Sequence, residues 1–146
     1  MSLAFFARHA RVGIDSNVLI CLLEGAAPLA DKAAELLDAI ADGQGEGVLA
    51  TLAVAEICSG PAAAGEPALV ERYADELGSL ENVRLVALSA DIAVDAATLR
   101  GNGSLSLADA IHLASARHAG ATAFITSDRR VKSTPRLEVV YLDELR

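Results

Sequence analysis

The sequence predicts an α/β fold with a mainly parallel central sheet and helices on both faces. Short Val- and Ile-rich runs alternate with longer segments of helical periodicity, as they do in parallel sheets with crossover helices. The composition is 53% hydrophobic but only 3% aromatic, so aliphatic residues and alanine must build the core. The length of 146 residues, without a repeat or internal boundary, predicts a single domain over residues 1–146.

The first half of the chain shows the alternation clearly. A short strand from Arg11 to Asp15 turns directly into a helix from Val18 to Leu23. Four elements are predicted next: an amphipathic helix over Pro28 to Ala41, a strand over Val48 to Ala50, a helix from Leu52 through Cys58 that ends before Gly60-Pro61, and a helix over Glu66 to Leu80.

The second half repeats the pattern. The predicted elements are a strand over Val83 to Leu88, a helix over Asp91 to Leu99, a flexible turn at Gly101-Asn102-Gly103, a helix over Leu107 to His118 opened by Ser106, a strand over Ala121 to Ile125, and a strand over Leu137 to Leu142. In sheets of this kind ligands gather at the C-terminal ends of the strands. A functional site is therefore expected at that edge.

Charge and hydropathy exclude some classes of protein. The longest strongly apolar uncharged run, Gly47 to Ala55, is far below the roughly 20 residues that a membrane span needs. The apolar patch Leu3 to Ala7 is too short for a signal-peptide core, so we expect a cytoplasmic protein without membrane association. Cys21 and Cys58 are isolated and are interpreted as core residues.

The net charge of −8 argues against a polyanionic partner, but the basic residues are unevenly distributed. Arg129, Arg130, Lys132 and Arg136 form a basic segment next to an acidic residue, Asp128. This segment could bind phosphates, with bound divalent cations cancelling further negative charge, or it could be a solvated loop. The spacing alone leaves both interpretations open.

Four acidic residues lie at or near predicted junctions of strands and helices: Asp15, Glu56, Asp109 and Asp128. Each has a purely structural alternative. Asp15 could cap a helix, and Glu56 could lie on an exposed helical stripe. Asp109 follows Ser106 with capping-box spacing, and Asp128 could form a turn.

Taken together, the four carboxylates can converge on one rim of the sheet. Such a cluster repels itself unless it is neutralised, and hard oxygen ligands suit Mg²⁺ or Mn²⁺. The sequence contains no Cys/His set of the kind that binds zinc. The pattern therefore indicates a divalent cation site.

Four sequence segments occur in a characteristic order: Gly13-Ile14-Asp15-Ser16-Asn17-Val18-Leu19-Ile20, a helical Glu56, Leu107-Ala108-Asp109-Ala110-Ile111-His112-Leu113-Ala114, and Phe124-Ile125-Thr126-Ser127-Asp128. In these segments the chain resembles a PIN domain, and specifically the VapC toxins of type II toxin-antitoxin pairs. The resemblance extends from about Val12 to Leu142. It implies a three-layer α/β/α sandwich, an acidic pocket for one or two Mg²⁺ or Mn²⁺ ions, and endoribonuclease activity on RNA.

The resemblance also implies roles for individual residues. Asp15, Glu56 and Asp109 match the three central acids, and Asp128 matches the more variable fourth; how they divide metal binding and catalysis stays open. The expected pocket supports are Asn17 and Thr126, and the expected RNA contacts are Arg129, Arg130 and Lys132. The family further implies a cognate antitoxin that enters the acidic groove, and a homodimer.

His112 lies one helical turn after Asp109 and could touch the same pocket. Its neighbours Ile111 and Leu113 favour a packed or hydrogen-bonded histidine over a catalytic one. The sequence alone does not give it a role in the reaction.

Several other functions compete with a toxin nuclease. The nearest are a non-toxin PIN nuclease in RNA processing and a catalytically silent RNA-binding PIN module. A HAD-like phosphatase would need an aspartate where Asn17 stands. A receiver domain would need a lysine at the late strand end, where this chain has Thr126-Ser127-Asp128.

Overall fold

The computed structural model describes residues 3–25, 27–101 and 103–146. The strands are β1 (Arg11–Ile14), β2 (Glu46–Ala50), β3 (Val83–Val86), β4 (Ala123–Thr126) and β5 (Glu138–Tyr141). The α-helices are α1 (Leu3–Arg8), α2 (Ser16–Glu24), α3 (Leu29–Ala41), α4 (Thr51–Ala63), α5 (Pro67–Gly78), α6 (Ala90–Arg100) and α7 (Leu107–His118), and a 3-10 helix covers Leu142–Glu144.

The five strands form one sheet in the order β3-β2-β1-β4-β5, and every pairing is parallel. Strand β1 is central: Gly13 aligns with Val48 of β2 and with Phe124 of β4. The predicted α/β class and parallel sheet are thus confirmed. Because all strands run the same way, the residues that follow them meet at one edge of the sheet.

Alternation along the strands divides the core between the two faces of the sheet. Ile14 and Ile125 belong to the larger cluster, which packs against helices α1 to α5. Phe124 belongs to a second cluster with Leu113 of α7, on the opposite face. Helices therefore cover both faces of the sheet, as a three-layer sandwich requires.

Helix α7 crosses β1 at very short range. A Cβ atom at Gly13 would lie 2.5 Å from Ala116 Cβ and 2.8 Å from Phe124 Cδ1, so a larger residue would push the helix from the strand. Helix α7, whose first turn carries Asp109, is therefore fixed closely against β1, the strand that precedes Asp15.

Some element boundaries differ from the prediction. Helix α4 does not end before Gly60-Pro61 but continues to Ala63. Pro61 is buried, and the next turn forms because the Ala64 amide donates to Gly60 O at 3.1 Å. Helix α1 was not predicted; it forms because Phe5 and Phe6 are buried in the larger core cluster.

Other predictions concern smaller features. Helix α7 begins and ends as predicted, and Ser106 Oγ caps it by accepting from the Asp109 amide at 3.1 Å. Cys21 and Cys58 are unpaired and half-buried rather than fully buried. The predicted turn at Gly101-Asn102-Gly103 includes Asn102, which lies outside the described residues. Within the described ranges, no helix is both long and apolar enough to cross a membrane.

Candidate active site

Asp15 follows β1 directly and occupies the N-cap position of α2, but its side chain makes no capping hydrogen bond. Its carboxylate instead points to the end of β4, where it accepts from Thr126 Oγ1 at 2.8 Å and from Asn17 Nδ2 at 3.3 Å. The residue is only 4% exposed. The capping alternative is therefore wrong for this side chain.

Thr126 connects the two strand ends. Its hydroxyl is fully buried, donates to Asp15 and accepts from Asn17 Nδ2 at 3.1 Å and from the Asp128 amide at 3.0 Å. Asn17 also accepts from the Ser127 amide at 3.0 Å. The two residues that the sequence assigned as pocket supports thus fix the carboxylate of Asp15 relative to the turn after β4.

Glu56 reaches the same edge from the second turn of α4. It accepts a hydrogen bond from His112 Nε2, and the same nitrogen lies 4.0 Å from Asp15 Oδ1. The Glu56 side chain is 35% exposed, whereas that of His112 is 2% exposed. His112, for which the sequence favours a packed or hydrogen-bonded role over a catalytic one, is thus both packed and hydrogen-bonded to a candidate site residue.

Asp109 approaches from the first turn of α7, and its negative charge is felt at Asp15. Among the described residues, the Ser106 half of the predicted capping box forms but the reciprocal bond from Ser106 to the Asp109 side chain does not. The Asp109 carboxylate is therefore not used as a cap.

Asp128 is held differently from the other three acids. Its Oδ1 accepts from the Arg130 amide at 2.9 Å, which closes a turn, and its Oδ2 pairs with Arg130 Nη2 at 2.9 Å. The turn-forming alternative is thus realised for this residue. Asp128 is still linked to the other acids indirectly, because its backbone amide donates a hydrogen bond to Thr126 Oγ1.

Burial and neighbouring charges shift the pKa values of the acidic residues and of His112. Burial raises the pKa of Asp15, helped by the negative charge of Asp109 and opposed by His112 and Thr126. The His112 hydrogen bond lowers the pKa of Glu56. Burial alone would lower the pKa of His112, but the bond to Glu56 and the nearby carboxylate charges raise it. The hydrogen bonds from Arg130 lower the pKa of Asp128.

These residues fit a divalent cation by charge and by donor chemistry. Asp15 is a buried carboxylate facing a second carboxylate, so a cation there would relieve both burial and repulsion. In the described part of the chain, no three His, Cys, Asp and Glu side chains lie close enough to hold an ion as they stand. Glu56 and Asp128 are instead turned toward His112 and Arg130, so an ion would draw one or both of them inward.

The basic segment after Asp128 separates into paired and less constrained side chains. Arg129 pairs with Asp143 at 2.6 Å and Glu144 at 2.7 Å, and its guanidinium carbon lies 4.3 Å from the centre of the Tyr141 ring. Arg130 pairs with Asp128, but its side chain is 89% exposed. Lys132 is exposed, 5.9 Å from the Tyr141 ring centre. The sequence could not show that Arg129 forms ion pairs with residues of the 3-10 helix.

The sequence profile of the PIN-domain family matches residues 12–137, which cover most of the chain and all the candidate site residues that the sequence predicts. The chain belongs to the PIN-domain family. PIN domains are nucleases and generally use a divalent metal ion. No curated protein sequence matches this PIN domain significantly.

Solved structures agree with the family assignment at the level of fold. A toxin-antitoxin complex from Klebsiella pneumoniae is similar with a TM-score of 0.69 and 24% identity, over 92% of this chain and 99% of that chain. VapBC2 from Rickettsia felis, bound to a fragment of promoter DNA, has a TM-score of 0.70 and 15% identity, over 90% of this chain and 98% of that chain. FitAB bound to an IR36 DNA fragment has a TM-score of 0.68 and 18% identity, over 92% of this chain and 97% of that chain. This PIN domain therefore has a VapC-like fold.

Proposed function

We propose that the chain, as a single PIN domain over residues 1–146, is an Mg²⁺- or Mn²⁺-dependent endoribonuclease and the toxin of a toxin-antitoxin pair. The observation that carries the proposal is the position of Asp15, a buried carboxylate fixed by Thr126 and Asn17 where β1 and β4 end. Such a carboxylate is costly to bury without a cation. Family membership adds that the fold is that of a nuclease.

The proposed roles follow from the partner that each acidic side chain has. Asp15 and Asp109 hold the ion, since neither is neutralised by an ion pair with Lys or Arg among the described residues. Glu56 also binds the ion and orients the attacking water, and Asp128 completes the pocket once it leaves Arg130. A bound divalent cation supplies charge stabilisation for phosphodiester hydrolysis.

The proposed RNA contacts are Arg130 and Lys132. An exposed ion pair such as Arg130 with Asp128 contributes little and exchanges easily, so Arg130 can transfer to a phosphate. Lys132 is exposed beside it. Arg129 contributes indirectly by holding the loop against the 3-10 helix. With RNA as substrate, the activity belongs in the cytoplasm.

The proposed partners are a cognate antitoxin and a second copy of the chain. Support comes from the similar structures, which are described as a toxin-antitoxin complex, VapBC2 and FitAB. A non-toxin nuclease in RNA processing and a silent RNA-binding module are the alternatives. Expression in a bacterial host separates them: a toxin arrests growth, and an Asp15→Asn variant does not.

The substrate class is tested with matched RNA and DNA pools of the same sequences, incubated with Mn²⁺, with Mg²⁺ or with EDTA. We expect the RNA pool to be cut with either ion and to stay intact in EDTA. Cutting of DNA at an equal rate would contradict the assignment to RNA. RNA that binds the protein but stays intact under every condition would favour the silent binding module.

A further inference from the structure

We propose that His112 is a positioning residue for the nuclease reaction, holding Glu56 in the orientation that the acidic site requires. The inference rests on the proposed function, because Glu56 matters to the reaction only if the acidic site performs it. The contact between Glu56 and His112 carries it, together with the hydrogen-bonding inventory of the imidazole ring.

His112 joins two helices, α7 and α4, at the edge of the sheet where the candidate site lies. It lies one turn after Asp109 on α7, and Glu56 lies on α4. Its Nε2 donates to Glu56 Oε1 and lies 4.0 Å from Asp15 Oδ1. One ring nitrogen therefore contacts one candidate site acid and approaches a second.

The other ring nitrogen has no comparable task. His112 Nδ1 is buried and has no hydrogen-bond partner among the described residues. The ring is 2% exposed, so solvent does not orient it. Its only hydrogen bond in the described part of the chain is the one to Glu56, and packing against Phe124, 6.5 Å between ring centres, completes its surroundings.

Glu56 gains a defined orientation from this contact. Its side chain is 35% exposed on the surface of α4, where an unsupported glutamate samples several rotamers. Ser16 also interacts with Glu56 by a hydrogen bond, but its effect on the carboxylate is smaller than that of His112. A carboxylate has two oxygens with several acceptor sites, and these bonds leave the remainder for a metal ion or a water. Supporting partners of this kind typically change metal affinity or activity by about 10- to 100-fold when removed.

The test compares His112→Leu, which removes the donor, with His112→Gln, whose amide nitrogen can occupy the position of Nε2. Ser115→Ala is the matched control, because Ser115 is buried on the same helix and its hydroxyl has no partner among the described residues. We expect His112→Leu to lower kcat about 10- to 100-fold with little change in KM for RNA. We expect His112→Gln to recover part of the loss and Ser115→Ala to keep the wild-type rate.

A double-mutant cycle with Glu56→Ala supplies the readouts that do not depend on activity: the Kd for Mn²⁺ by calorimetry and the urea midpoint of unfolding. If His112 acts through Glu56, His112→Leu changes the Kd in the wild-type background and leaves it unchanged in the Glu56→Ala background. Equal changes in both backgrounds, or a shift in the urea midpoint alone, would overturn the proposal.

Failure of the proposed function is detected with the wild-type protein rather than with the variants. A wild-type chain that binds Mn²⁺ but cuts no RNA overturns the ribonuclease proposal, and the Kd cycle still decides whether His112 positions Glu56. A wild-type chain that binds no Mn²⁺ overturns both.

Discussion

Thr126 donates a hydrogen bond from its buried hydroxyl to Asp15 Oδ2 at 2.8 Å, which ties the end of β4 to the end of β1. The two strands are neighbours in the sheet, and Asp15 also accepts a hydrogen bond from the side-chain amide of Asn17. The carboxylate is thus oriented by hydrogen bonds from the protein itself. Preorganisation of this kind lowers the cost of assembling a metal site.

Replacing Thr126 with valine tests this preorganisation. Valine keeps the shape but removes the hydroxyl that serves Asp15, Asn17 and the Asp128 amide. We expect the free energy of unfolding to fall by about 2–3 kcal/mol, because buried polar groups lose their partner. Urea denaturation measures it, and Thr126→Ser, which keeps the hydroxyl, serves as control. Equal stability of the valine and serine variants would contradict the assigned role.

Removing the charge of Asp109 tests the electrostatic account of the site. Because that charge helps to raise the pKa of Asp15, Asp109→Asn should relieve repulsion in the metal-free protein. We expect the unfolding temperature in EDTA to rise by about 2–4 °C, the shift that ~1 kcal/mol produces in a domain of this size. The exposed Asp75 gives a matched control as Asp75→Asn.

The same pair of variants tests metal binding. With Mn²⁺ at about 100 times its Kd, wild-type protein should gain about 2.7 kcal/mol of stability, and Asp109→Asn should lose most of that gain. Thermal unfolding with Mn²⁺ and with EDTA measures the difference. An equal gain in wild type and Asp109→Asn would show that the ion binds elsewhere.

The ion pair between Glu56 and His112 should make stability depend on pH. The pKa of Glu56 lies below its ordinary 4.5, so its contribution is present above pH 4.5 and is lost as the pH falls through the lowered value. The pKa of His112 lies above its ordinary 6.5, so its contribution is fully present below pH 6.5 and is lost as the pH rises through the raised value. The pair therefore stabilises the fold most between pH 4.5 and 6.5.

His112→Leu reveals this dependence by difference. In metal-free buffer, the gap in free energy of unfolding between wild type and the variant should be widest between pH 4.5 and 6.5 and should narrow toward pH extremes. Urea denaturation over a pH series measures the gap. A gap that stays constant with pH would mean that packing, not the ion pair, accounts for the loss.

The basic segment should contribute unequally to RNA affinity. Arg130→Ala and Lys132→Ala should each flatten the dependence of log K on log salt by about 0.7, the value for one phosphate contact on a single strand. Arg129→Ala should leave the slope close to wild type because Arg129 is paired with Asp143 and Glu144. Arg72→Ala, on α5, is the control. A larger effect of Arg129 than of Lys132 would contradict this division.

The sequence predicted the elements whose signals are local. The cap at Ser106 defined the start of α7, and the Val/Ile runs before Asp15 and Asp128 placed these acids at strand ends. The sequence predicts too short a helix α4 because proline normally ends a helix, whereas Pro61 is buried within α4. A local rule could not anticipate that tertiary compensation.

The pairings within the site could not be read from the sequence. Glu56 and His112 are 56 positions apart, and their contact depends on how α4 and α7 pack at the sheet edge. The ion pair between Arg130 and Asp128 competes with the two roles predicted for them, RNA binding by Arg130 and metal binding by Asp128. Residue types and strand ends define the composition of the site, whereas side-chain partners are a tertiary property.

The central claim is that Asp15 and Asp109 hold a divalent ion that is needed to cut RNA. The most direct test measures the rate of RNA cleavage against Mn²⁺ concentration for wild type, Asp15→Asn, Asp109→Asn and the control Asp75→Asn. We predict a saturating dependence for wild type and the control, no rate in EDTA, and a loss of at least about 100-fold, on the order of removing one catalytic electrostatic contact, for the two site variants. Cleavage that persists in EDTA, or that survives Asp15→Asn at the wild-type rate, would contradict the account.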